Sequence, residues 1–139
     1  MSALTGSGIL SVHLEGAHSE AELLDALCSL FGLRPDDLAP LDRIDAETPV
    51  PYQVFHRPRG FRTTLELYVG RAPDSVPRSD IDLATALVRR LRERALIPPR
   101  DSDSNPYAWD LIAADEPPRR VHAVAQDDDE AIVIDEGRG

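Results

Sequence analysis

ILSVHLEGAHSEAELLDALCSLF, residues 9–31, changes its apolar period part-way along, from two to about 3.6. That change places a strand directly before a helix. Leu10, Val12 and Leu14 alternate with Ser11, His13 and Glu15 as a half-buried strand does, and Gly16 ends the run. Ser19 then stands three residues before Glu22, which is capping-box spacing. Leu23, Leu24, Leu27, Leu30 and Phe31 follow on one helical stripe, and Gly32 with Pro35 supplies the stop. Cys28 lies beside that stripe and reads as a small buried hydrophobe.

Downstream, Pro35-Asp36-Asp37 suits a short helical turn, with proline at a first helical position and acids at the positive end. Val50 to His56 reads as a strand starting at a sheet edge, because Pro49 and Pro51 flank its first residue. Arg57-Pro58-Arg59-Gly60 is a hairpin turn by composition, and Thr63 to Val69 alternates as the returning strand. A second helix opens at Ser79 or Asp80, with Ile81, Ala84, Leu87, Val88, Leu91 and Ala95 inward and Pro98-Pro99 as its stop. Its acids come first and its arginines last, which complements the helix dipole. Tyr107 to Ala113, Val121 to Ala125 and Ala131 to Ile134 complete the strands, the last two joined by the acidic tip Asp127-Asp128-Asp129-Glu130. The order β-α-β-β-α-β-β-β predicts an α+β fold, a mainly antiparallel sheet with two helices packed on one face. One domain is expected, with residues 9–134 as core, 1–8 as leader and 135–139 as tail.

The 139 residues carry 42% hydrophobic and 29% charged side chains, an ordinary globular composition. One cysteine excludes an internal disulfide framework and a multi-cysteine zinc site. No apolar run approaches a membrane span, and the N-terminus lacks the basic start of a signal peptide, so a cytoplasmic location is expected. All fifteen basic residues are arginine. Residues 1–47 hold nine acids against two arginines, 48–100 hold five against ten, and 101–139 hold eleven against three. The net charge of −10 argues against nucleic acid and for a basic protein partner.

Catalytic and cofactor motifs fail one by one. Asp101-Ser102-Asp103-Ser104-Asn105 opens like a calcium loop, but Pro106 stands where glycine is needed and Ile112 where the bidentate glutamate is needed. Gly6-Ser7-Gly8 precedes a strand rather than following one, and no lysine exists for a Walker motif. His13, His18, His56 and His122 lack metal spacing and are expected to face solvent. No cofactor, no metal and no enzyme activity are expected. What remains are two acidic clusters, Asp36, Asp37, Asp42 and Asp45, and then Asp127, Asp128, Asp129 and Glu130. Tyr107 and Trp109 join them as aromatic interface candidates, with core packing the competing role for Trp109.

In general character the chain resembles bacterial polymorphic-toxin immunity proteins. The opening strand and capped helix, Ile9 to Phe31, followed by Pro35-Asp36-Asp37 are similar to the barstar type of ribonuclease inhibitor. The hairpin of residues 50–69 and the C-terminal strands depart from that type, so no family residue is carried over. The resemblance implies a monomer or homodimer whose acidic surface occludes a basic toxin domain, such as a nuclease. A small acidic chaperone of a secreted effector, and a small enzyme or ligand-binding domain, are the competing expectations.

Overall fold

The computed structural model describes residues 8–43, 47–99, 107–126 and 131–134. Strand β1 (Ile9–Leu14) leads into helix α1 (Glu20–Phe31), and a 3-10 turn (Pro35–Asp37) precedes β2 (Leu38–Pro40). A second 3-10 turn (Leu41–Arg43) follows, then β3 (Val50–His56), β4 (Thr63–Tyr68) and helix α2 (Asp80–Leu91). Strands β5 (Ala95–Ile97), β6 (Ala108–Ile112), β7 (Arg119–Gln126) and β8 (Ala131–Ile134) finish the chain. All eight strands form one sheet in the order β2-β3-β4-β1-β5-β6-β7-β8, and every pair but β2–β3 is antiparallel. The expected α+β fold is the observed one.

Both helices lie on one sheet face because their apolar stripes need the same cover. Leu23, Ala26 and Leu27 from α1 and Leu83, Ala84, Leu87 and Val88 from α2 are buried there. They pack on Leu10, Val12 and Leu14 of β1, Leu65 and Leu67 of β4, and Ala95 and Ile97 of β5. Ser19 caps α1 by accepting the Glu22 N–H (3.1 Å), and Gly32 closes it at φ 66°. Pro98-Pro99 is not what stops the second helix. Arg92 ends it at φ 60°, and Ala95–Ile97 is instead a strand held between β1 and β6. Nor is β3 an edge: β2 lies outside it in parallel, Leu38 opposite Val50.

A second, smaller core lies on the helix-free face. Phe61, Leu96, Leu111, Val121, Ala123 and Ile132 are buried there, with Trp109 and Ile134 packed alongside. The sheet curls over this face until β8 meets the β3–β4 connection, where the Phe61 N–H donates to the Ile132 carbonyl (2.9 Å). Gly60 allows the approach. Its φ is +76°, and a Cβ there would stand 2.3 Å from the Ile132 oxygen.

Candidate functional site

Helix α1 buries one side and turns Glu20, Glu22 and Asp25 outward, and the 3-10 turns beside β2 add Asp36, Asp37 and Asp42. Two partly or fully buried side chains show how these acids are grouped. The Tyr52 hydroxyl, reaching out from β3, donates to Glu20 Oε2. Burial, that hydrogen bond and the Glu20 charge, with Asp42 adding and Arg43 opposing, push the phenol up to about 12. Cys28 is half-buried on α1, and burial followed by the charges of Asp25 and Asp37 raises its thiol. Glu20 and Asp42 therefore gather near Tyr52, and Asp25 and Asp37 near Cys28, as an acidic flank in two groups along α1 and the β2 edge.

Within it, Asp37 is committed locally, its Oδ2 accepting the Arg34 N–H (2.9 Å). Asp36 and Asp42 are exposed and make no ion pair among the described residues. Asp25 meets Arg90 only at 3.9 Å, with both side chains largely in water, a contact worth little. Three of the mid-chain guanidiniums go elsewhere. Arg94 grips Glu15 (Nε 3.0 Å, Nη2 2.5 Å), Arg78 donates to the Val69 and Ala72 carbonyls, and Arg57 donates to Thr64. Asp110, 2% exposed, takes Arg120 at 2.7 Å.

Asp45, Asp127, Asp128, Asp129 and Glu130 lie outside the described residues. Tyr107 is 54% exposed at the lead into β6. Trp109 is half-buried and meets His13 edge-on with ring centroids 5.0 Å apart, so it belongs to the second core's rim rather than to the acidic flank. Glu20 and Asp25 were absent from the sequence candidates. Asp25 carried a signal, since it falls opposite the leucine stripe; Glu20 falls in line with that stripe, at the helix's first residue, and carried none.

Two histidines expected in solvent are not there. His13 is buried, its Nδ1 2.6 Å from Thr64 Oγ1. Arg57 donates to the same oxygen (2.6 Å), so the threonine hydroxyl links the imidazole to the guanidinium. Burial first, and then the Arg57 charge, pull His13 down to about 4. Thr64 is itself buried, so this trio braces the sheet out of reach of a substrate. His18 is sandwiched between Glu93, bonded to Nε2, and Glu22, 3.2 Å from Nδ1, tying the β1–α1 turn to the end of α2. His56 and His122 are exposed, as expected, with His56 Nε2 donating to the His18 carbonyl (2.8 Å).

Comparison with known proteins returned no match: no family model, no curated protein and no solved structure is similar to this chain.

Proposed function

We propose that this chain is an immunity-type inhibitor that blocks a basic toxin domain with the acidic flank of α1 and the β2 edge. The observation that carries this reading is that Asp36 and Asp42 stand exposed without ion pairs among the described residues, Asp42 near Glu20, while Arg57, Arg78 and Arg94 are engaged elsewhere. Carboxylates without internal partners cost little in water and gain when a cationic surface arrives, so they favour association over stability. A nuclease needs a basic cleft for its phosphates, and carboxylates on a rigid helix can take the phosphates' places.

The rest of the flank suits the role. Apart from the 3-10 turns, the acids sit on a capped helix packed on the core, which holds them in register without ordering cost on binding. Electrostatic steering predicts fast, salt-sensitive association. To test the reading, the chain is purified with the protein encoded beside its gene. Formation of a stable one-to-one complex with loss of that protein's nuclease activity supports it. Full activity in several-fold excess of the chain overturns it.

A further inference from the structure

The opposite charge gathers at one end of the sheet. Strand β1 ends there, β4, β5 and β7 begin there, and the α2–β5 turn and the β6–β7 turn frame an open groove of about 580 Å³. Arg89, Arg92, Glu93 and Arg94 line it from the α2–β5 side, and Ala113 to Asp115 from the β6–β7 side. Arg94 spends its fork on Glu15, and Glu93 spends its carboxylate on His18 and the Gly16 N–H. Arg89 and Arg92 make no ion pair among the described residues, and the same holds for Arg62 and Arg119 close by.

Arg92 is the telling residue. It occupies the left-handed position that closes α2, φ 60°, with its N–H on the Val88 carbonyl (2.8 Å). The corresponding position of α1 is Gly32, φ 66°, the residue this conformation favours. A residue bearing a guanidinium thus holds a strained backbone conformation at the groove's lining. The antiparallel helices place the positive end of α1 beside the negative end of α2, so their dipoles offset one another. Among the described residues at this end, Arg62, Arg89, Arg92 and Arg119 without ion pairs stand against Asp115 and Glu116, with Glu93 and Glu15 already engaged.

We propose that this groove is a phosphate-binding site, with Arg89 and Arg92 as the paired donors and Arg94 contributing charge. Two unengaged guanidinium forks match the oxygen geometry of a phosphate dianion, and the volume is that of a small-molecule site. Asp115 and Glu93, the two lining acids, lower its strength by subtracting charge. The site uses none of Glu20, Asp25, Asp36, Asp37 and Asp42, so its failure leaves the inhibitor reading untouched.

The test is a two-dimensional amide NMR titration of the full chain at constant ionic strength, chloride being replaced by inorganic phosphate in one arm and by phenyl phosphate in another. Saturating shifts confined to Arg92, Glu93 and Ala113 to Asp115 are expected. Tighter binding of the ester assigns the site to a phosphorylated small molecule, and equal binding assigns it to the free ion. Arg92→Gly is expected to raise the melting temperature, by relieving the strained backbone, while weakening phosphate at least tenfold. Asp115→Asn is expected to tighten it. Shifts no larger than those in chloride, undiminished binding by Arg92→Gly, or a response only to a glutamate-rich peptide would overturn the proposal.

Discussion

Alanine at Gly60 separates two costs that usually arrive together. The residue sits at φ +76°, and the added Cβ would lie 2.3 Å from the Ile132 oxygen and 3.0 Å from its carbonyl carbon. Gly32 has nearly the same backbone, φ +66°, yet nothing lies within 4 Å of the same added atom. Both substitutions carry the left-handed penalty, about 1 kcal/mol. Gly32→Ala should therefore cost about 1 kcal/mol and no more. Gly60→Ala must also push β8 away, because the obstacle is backbone rather than a movable side chain. That breaks the Phe61 N–H bond to Ile132, about 1 kcal/mol net. It also returns part of the buried Ile132 to water, about another 1–2 kcal/mol. The expected loss is about 3–4 kcal/mol, read from urea midpoints at a common slope, with faster hydrogen exchange at the Phe61 amide. Equal losses in the two variants would refute the docking of β8 onto the β3–β4 connection.

Three further outcomes are expected. His13 is held near 4 in the fold against 6.5 unfolded, so the unfolded chain binds the extra proton between these values. Stability should then fall by up to about 3 kcal/mol as pH drops from 6.5 to 4, and His13→Gln should flatten that part of the urea-stability profile. Glu15 is depressed chiefly by its hydrogen bond from Arg94, so its contribution is present above the ordinary carboxylate range and lost as pH falls through its folded value. Glu15→Gln should flatten the acid limb below pH 4.5 in the same titration. The Cys28 thiol, raised by burial and by Asp25 and Asp37, should react slowly with iodoacetamide at pH 8. Asp25→Asn with Asp37→Asn should speed that alkylation, and an unchanged rate would separate those acids from the cysteine.

The sequence revealed what local chemistry decides and concealed what distant packing decides. Helix α1 was readable to its ends, because Ser19, Glu22 and Gly32 specify a start and stop without help from elsewhere. The end of α2 was not, since a left-handed arginine replaces the expected glycine and the apolar period runs on through Ala95–Ile97. Only the neighbouring β1 and β6 make those three residues a strand. The edge strand Leu38–Pro40 was hidden for the same reason, three residues being too few to show a period. His13 alternates as a solvent-facing residue should, but Trp109 and the curl of the sheet cover it. At the candidate site, the exposure of Asp36 and Asp42 was legible from their polar, proline-punctuated setting. Their grouping with Glu20 and Asp25 was not, because it depends on how α1 lies against β3 and the β2 edge.

The account rests on negative charge at the α1 flank acting on another protein. The most direct measurement is the association rate with the protein encoded beside this gene, for the parent chain and for Glu20→Gln, Asp25→Asn, Asp36→Asn and Asp42→Asn combined. Steering by these four carboxylates should be worth at least about tenfold in that rate at low salt, with a shallower salt dependence and an unchanged fold. Equal rates and equal salt slopes for the two proteins would contradict it.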